Sequence, residues 1–216
     1  MKPKFLLLTS ALGLLLAFAL AAWLYTQHHN QLAAQAAQAN QALLMRAHSP
    51  SMGPAKAPVV IVEFIDPACE TCRAFYPMVK KMMAEHPGKI RLVLRYAPFH
   101  EGSDKVVAIL EAANRQGKFW PTLEALLEHQ SDWVLHHKPQ IARVWRYLDG
   151  LGLNMEQLAF DMSSPALQTP IAQDLADAKA LNVTMTPEYF VNGRGLPSFG
   201  FEQLQTLVKE ALAQAQ

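Results

Sequence analysis

The two cysteines of the chain stand three positions apart, at Cys69 and Cys72, in the order Cys-Glu-Thr-Cys. They come shortly after Val59–Ile65, an apolar, β-branched run that predicts a strand buried on both faces. After them, apolar residues recur at helical spacing from Phe75 to Met83. A two-residue spacer lets both sulfurs meet within one helical turn, so the pair can close to a disulfide with little backbone change. The sequence therefore predicts two thiols at a strand-to-helix junction.

This position predicts different chemistry for the two thiols. The N-terminus of a helix supplies partial positive charge and free N–H groups, which favour a thiolate at Cys69. The thiolate is the nucleophile of disulfide exchange, so we assign Cys69 as the attacking residue that forms a mixed disulfide. Cys72, one turn into the helix, is then the residue that resolves it. We expect the redox-active disulfide Cys69–Cys72 to serve in place of a bound cofactor.

Other uses of the cysteines are less favoured. A structural disulfide across so short a loop gains little, because its entropic benefit grows with loop length. A zinc site needs two further ligands, and the sequence has no second cysteine pair, so we assign no metal site. Copper stays open, since several histidines and nine methionines could supply soft ligands. The alternative function is therefore a copper-binding metallochaperone, although His136-His137 reads more plainly as a solvated loop.

The N-terminus predicts export. Residues 5–25 are apolar except for Thr9 and Ser10, and they follow Lys2 and Lys4. This stretch matches the roughly 20 residues of a membrane-spanning helix, so residues 1–26 are predicted to be an uncleaved signal-anchor. We expect a single-pass protein of a bacterial inner membrane with its catalytic domain in the periplasm. The alternative is a long signal peptide cut near residues 19–21.

Residues 27–56 predict a helical stalk followed by a linker. The stalk is rich in Ala and Gln, and its short apolar stripe favours a plain spacer over a helix that pairs chains into a homo-oligomer. Prolines and a glycine between Ser49 and Pro58 mark the linker. The domain proper is predicted over residues 57–216. Its net charge gives no reason to expect nucleic acid as a partner, because the whole chain carries only +1.

The remaining pattern completes an α/β domain. A second strand is predicted from Ile90 to Tyr96, which makes a β-α-β unit, and a helical insertion follows over about residues 103–164. Another helix then leads to a hairpin across Asn192-Gly193 and to a last helix from Phe201 to Leu212.

These segments resemble the thioredoxin-like proteins of the DsbA kind. Besides the cysteine motif, the similarity is carried by residues 57–64, 95–99, 112–120 and 183–193, in the family's order. The resemblance implies a thioredoxin-like fold with a helical insertion. It also implies a thiol–disulfide oxidoreductase that acts on exported proteins and exchanges electrons with a redox partner protein.

The resemblance also implies roles for individual residues. Pro187 occupies the place of the cis-proline beside the active site, which would leave the backbone of Thr186 free to bind a substrate strand. From the sequence alone, a trans bond before Pro187 is equally open. Glu63 stands where the family has a buried acid that relays protons to the resolving thiol. In an apolar strand, such a carboxyl group has a raised pKa.

The chain departs from the family between and beyond the cysteines. Glu70 and Thr71 replace the proline and histidine of the strongly oxidising members, and Glu70 would repel a thiolate at Cys69. We therefore expect a weaker oxidant. Met185 stands where many relatives have glycine, so oxidase, isomerase and reductase directions all stay open.

Overall fold

A mixed sheet forms the centre of the domain. The computed structural model describes the backbone of residues 3–215, with side chains for all of these except 3–11, 29–30, 33–34 and 36. Within that part, a five-stranded sheet has the order β1-β3-β2-β6-β7. Its strands are β1 (Ser51–Met52), β2 (Val59–Ile65), β3 (Ile90–Tyr96), β6 (Glu188–Val191) and β7 (Arg194–Gly195). The strands β2 and β3 are parallel, and the other pairings are antiparallel. The predicted β-α-β unit and C-terminal hairpin are confirmed.

Helices cover both faces of the sheet. Their bounds are α1 (Pro3–Leu44), α2 (Glu70–Glu85), α3 (Ser103–Arg115), α4 (Phe119–Glu128), α5 (Gln130–Trp133), α6 (Ile141–Val144), α7 (Met155–Met162), α8 (Pro165–Ala180) and α9 (Phe201–Gln214), with a 3-10 turn at Trp145–Tyr147. The two faces of β2 enter different clusters, Ile61 and Ile65 packing with α2 and α3, and Val62 and Phe64 with Leu44. Because side chains alternate along a strand, Glu63 lies on the same face as Ile61 and Ile65, toward α2.

The insertion is not wholly helical. A small hairpin, β4 (Val134–Leu135) with β5 (Lys138–Pro139), interrupts the helices. Its turn is formed by His136 and His137, both with positive φ (51° and 62°). A two-residue hairpin turn of type I′ has positive φ at both central residues, which Asn and Gly adopt most readily. The two histidines give no such signal, so the sequence did not predict this hairpin.

One continuous helix, α1, runs over both the predicted anchor and the predicted stalk. Among the described residues, no helix is long and apolar enough to cross a membrane. Lys2 and the side chains of residues 5–11 lie outside the described part. From Leu12 to Leu24 the large apolar side chains of α1 are exposed. The membrane anchor at residues 1–26 therefore stays a prediction.

The segment predicted as a linker is part of the sheet. Within it, β1 adds to the edge of β3, with Ser51 opposite Val93. The backbone of Gly53 has a φ of +96° and lies so close to β3 that a Cβ would meet the carbonyl oxygen of Ile90 at 2.4 Å. Glycine is therefore required here, and the segment is fixed to the domain rather than loose.

Candidate active site

The two cysteines lie at the junction of β2 and α2, as predicted. Cys69 is the N-cap of α2 and has an extended backbone, while Cys72 lies in the first turn. Both are free thiols. Cys69 is 6% exposed and Cys72 is completely buried. Of the two residues, only Cys69 keeps any exposure.

The environment of Cys69 favours its thiolate. The largest contribution is a hydrogen bond from the Cys72 thiol, which outweighs the opposing effect of burial; the side chain of Thr186 and the N–H groups of Cys72 and Thr71 add to it. Together they lower the pKa of Cys69 from 9.0 to about 5. Free N–H groups at a helix N-terminus are expected to act in this way. The thiolate predicted at Cys69 therefore has a physical basis here.

Cys72 has the opposite character. Burial raises its pKa well above the ordinary value, and the hydrogen bond to Cys69 and the charges of Glu63 and Cys69 raise it further. At neutral pH the pair therefore holds one thiolate and one thiol. This asymmetry fits one attacking sulfur and one that must lose a proton before it can react.

The loop before β6 lies against Cys69. The Thr186–Pro187 peptide bond is cis, as the resemblance implied. The Cys69 sulfur lies 3.2 Å from the carbonyl oxygen of Thr186, to which it can donate only while it is protonated. Met185, next to it, is 52% exposed. Thr186 and Pro187 therefore border the sulfur that an incoming chain must reach.

Glu63 lies completely buried in the middle of β2. Burial raises its pKa to about 8; the nearby hydroxyl of Tyr189 acts against this rise, and the charge of Cys69 adds to it. The buried acid that the resemblance implied is therefore present, and its carboxyl group can hold or release a proton near neutral pH.

Comparison with known proteins agrees with this arrangement. A family model described as Thioredoxin matches residues 46–210. This chain belongs to the thioredoxin family. A thioredoxin-like oxidoreductase from Silicibacter pomeroyi DSS-3 is 33% identical in sequence. It superimposes with a TM-score of 0.68 over 78% of this chain and 95% of that one. The thiol-disulfide exchange protein alpha-DsbA2 from Wolbachia pipientis shares the fold, with a TM-score of 0.70 at 18% identity over 85% of this chain and 97% of that one. The recognition of a DsbA-like member of the family is confirmed.

Curated relatives extend well beyond the thioredoxin-family domain. The Na(+)/H(+) antiporter NhaA of Herminiimonas arsenicoxydans is 31% identical over 159 residues, which make up 74% of this chain and 25% of that protein. NhaA 3 of Salinispora tropica is 32% identical over 167 residues, or 76% of this chain and 24% of that protein. The chain thus spans about a quarter of the length of the curated relatives it matches.

Within this thioredoxin-family site, Glu70 has a partner that the sequence did not reveal. Its carboxylate lies 3.3 Å from Nδ1 of His137, which the unpredicted hairpin brings over the start of α2. The ring of His137 stacks on that of His100, with 6.2 Å between centroids. Thr71 acts on Cys69 through its backbone, because its N–H group helps to stabilise the Cys69 thiolate.

Asp66 and Gln130 shape the loop that carries Cys69, and sequence reasoning missed both. Asp66 is completely buried and accepts hydrogen bonds from the N–H groups of Ala68 and His100, both at 2.8 Å. Gln130, from the helical insertion, donates to the Cys69 carbonyl oxygen at 3.0 Å. For Asp66, the sequence offers one weak indication, a carboxylate directly after an apolar strand. Gln130 is 61 positions from Cys69 and gave none.

The histidines near the site do not form a metal cluster within the described residues. No three His, Cys, Asp or Glu side chains of that part are grouped so that they could hold a metal ion. His48 instead contacts Asp174, with 2.6 Å between Nε2 and the carboxylate oxygen.

The lowered pKa of Cys69 predicts an unusual pH dependence of alkylation. The rate with iodoacetamide is expected to be half-maximal near pH 5 and level above about pH 6.5, because the thiolate is then fully formed. Mass spectrometry of samples of the reduced chain quenched at set times measures this rate. The Cys69→Ser variant shows whether Cys72 also reacts. A half-point near pH 8.5, as for a free cysteine, would contradict the stabilised thiolate.

Proposed function

We propose that the chain is a thiol–disulfide oxidoreductase that exchanges disulfides with exported proteins through Cys69 and Cys72. The observation that carries the proposal is the placement of Cys69: its pKa is lowered to about 5, it keeps a small exposure, and its sulfur lies 3.2 Å from the carbonyl oxygen of Thr186 in the cis-proline loop. A low thiol pKa in a partly open site distinguishes reactive cysteines from structural ones. The similarity to solved thiol–disulfide exchange proteins supports the same reaction.

The exchange proceeds in two displacements. The Cys69 thiolate attacks one sulfur of a substrate disulfide, forms a mixed disulfide, and expels the other substrate sulfur as a thiolate. Cys72 then loses its proton and attacks Cys69, which closes the Cys69–Cys72 bond and releases the second substrate thiolate. The substrate gains two electrons and the cysteine pair loses two. The same steps in reverse oxidise a substrate dithiol.

Thr186 and Pro187 are proposed to hold the substrate. The cis bond turns the backbone of Thr186 toward Cys69, where its carbonyl oxygen lies 3.2 Å from the sulfur. An extended substrate strand can pair with backbone groups presented in this way. Glu63 is proposed to take the proton of Cys72, since its pKa of about 8 allows both protonation states near neutral pH.

We also propose that the domain works outside the cytoplasm, in the periplasm of a bacterium. The exposed apolar side chains of α1 from Leu12 to Leu24 support export, and an uncleaved segment would attach the domain to the inner membrane. Mass spectrometry of the mature chain and membrane fractionation decide between attachment and cleavage, since a start near Ala22 excludes the anchor. The proposed partners are exported substrate proteins and a redox protein. A homo-oligomer formed through α1 would be detected by light scattering.

A turnover assay tests the proposed chemistry. The full chain is expected to catalyse insulin reduction or oxidation of a dithiol peptide at a rate that is unchanged by chelators and lost in Cys69→Ser. A parallel copper titration covers the metallochaperone. Tight stoichiometric copper with no Cys69-dependent turnover would refute the oxidoreductase.

A further inference from the structure

Glu63 has a neighbour that shares its unusual burial. Tyr189 lies directly opposite Glu63 in the antiparallel pairing of β2 with β6. Both side chains are completely buried. Among the described residues, no hydrogen bond of regular geometry reaches the carboxyl oxygens of Glu63 or the hydroxyl of Tyr189, although this hydroxyl lies close enough to act against the rise in the pKa of Glu63. Buried polar groups are almost always paired, so two adjacent exceptions call for a functional explanation.

Both groups lie close enough to the cysteine pair to interact with it electrostatically. The ring of Tyr189 stacks on Phe75, one turn after Cys72 in α2, with 6.1 Å between centroids. Burial raises the pKa of Tyr189 well above its ordinary value, and the charges of Glu63, Cys72 and Cys69 raise it further. Tyr189 therefore keeps its proton, as a hydrogen-bond donor, throughout the pH range in which Glu63 titrates.

We propose that Tyr189 is a positioning residue for proton transfer, which donates a hydrogen bond to the Glu63 carboxylate and makes it ready to accept the proton of Cys72. This inference rests on the proposed function, because it concerns the resolving step of the same exchange. The Cys72 proton passes to Glu63, the Cys72 sulfur bonds to Cys69, and the substrate sulfur leaves with the electron pair of the broken bond. Tyr189 loses no proton in the cycle.

The sign of the effect follows from the groups that face Glu63. From α2 these are Cys69, Cys72 and Tyr76, and from β6 Tyr189. The neighbour on β3 is the uncharged Leu94. The two thiols disfavour charge on Glu63 once they ionise, whereas a donated hydrogen bond favours it. Loss of the Tyr189 hydroxyl should therefore raise the pKa of Glu63 and leave fewer molecules with the carboxylate at neutral pH.

The reduced full chain and equimolar 5,5′-dithiobis(2-nitrobenzoate) separate the two displacements. The first equivalent of coloured thiolate is released when Cys69 attacks, and the second when Cys72 resolves the mixed disulfide. In Tyr189→Phe, the first phase is expected to stay within about twofold of wild type. The pH at which the rate of the second phase is half-maximal should rise by about one unit. At pH 7 this rate should be roughly five- to tenfold lower than in wild type, which is the effect expected for the loss of one hydrogen bond to a charged group.

A matched control removes another buried tyrosine hydroxyl. Tyr96, on β3, donates to Glu111 at 2.9 Å, and Tyr96→Phe should leave the second phase unchanged. In a Glu63→Gln background, Tyr189→Phe should add nothing further. Phenylalanine keeps the ring that stacks on Phe75, and the first phase reports an intact fold.

The outcomes separate the two proposals. An unchanged inflection in Tyr189→Phe, an equal shift in Tyr96→Phe, or a further slowing in the Glu63→Gln background would overturn the role of Tyr189. Failure of the wild-type chain to release any second equivalent would instead overturn the proposed exchange through Cys69 and Cys72.

Discussion

Replacement of Cys69 by serine is expected to reduce thiol–disulfide exchange by on the order of a thousandfold or more, because it removes the nucleophile. Replacement of Cys72 by serine should leave the first displacement intact and stop the second. The Cys72→Ser variant should therefore accumulate a mixed disulfide between Cys69 and its substrate. Non-reducing electrophoresis after incubation with a disulfide-containing peptide measures this directly, as a shift that disappears with reductant.

The physical reason lies in the different surroundings of the two sulfurs. Cys69 keeps a small exposure and a lowered pKa, whereas Cys72 is completely buried with a pKa well above its ordinary value. The Cys72 thiol also donates the hydrogen bond that contributes most to lowering the pKa of Cys69. In Cys72→Ser a hydroxyl can take over part of that role, so trapping should be fast. Thr71→Ala is the matched control, since it keeps the backbone N–H group and should exchange normally. Trapping by Cys69→Ser but not by Cys72→Ser would reverse the assigned roles.

The sequence predicted what is local or strongly patterned. The β-branched run of β2 and the helical spacing after Cys72 placed both thiols at a strand-to-helix junction. The run's apolar neighbours also indicated that Glu63 is buried. The cis bond at Pro187 came from the resemblance, since X-Pro bonds are mostly trans and nothing in the local sequence required the cis isomer.

Long-range contacts of polar side chains could not be predicted. Tyr189 reads as an ordinary strand residue, and only the register of β6 on β2 places it opposite Glu63. The pairing of Glu70 with His137 depends on a hairpin that lacks the usual turn residues. From the sequence, Glu70 is expected to repel a thiolate at Cys69. The structure adds that the carboxylate has an imidazole 3.3 Å away.

Arg95 is a core residue that the sequence did not predict to be buried. It lies on β3 with its side chain completely buried. Its guanidinium donates to Asp174 at 2.9 Å and to Asp177 at 2.6 Å, both on α8, and also to the carbonyl oxygen of Leu43 at the end of α1. Arg46 forms two further hydrogen bonds to Asp177, at 2.7 and 2.8 Å. This cluster joins the segment that follows α1 to the sheet and to α8.

Replacement of Arg95 by leucine is therefore expected to lower the free energy of unfolding by about 3–5 kcal/mol, because it removes the one completely buried cation that contacts both Asp174 and Asp177 among the described residues. Urea unfolding followed by circular dichroism measures this. The control is Arg194→Leu, which breaks an exposed pair with Glu210 and should cost at most about 1 kcal/mol. Equal losses in the two variants would contradict a structural role for the buried cluster.

The pH dependence of stability tests the same cluster independently. Burial acts to raise the pKa of Asp177, but hydrogen bonds with Arg46 and Arg95 outweigh it and lower the pKa from 3.8 to about 2. A carboxyl group with a depressed folded-state pKa stabilises the fold fully above its unfolded pKa, and this stabilisation is lost as pH falls toward the folded value. The wild-type chain should therefore lose this contribution between about pH 4 and pH 2. In Arg95→Leu the pKa of Asp177 rises, so the acid-unfolding midpoint should move to higher pH, whereas in Arg194→Leu it should stay with wild type.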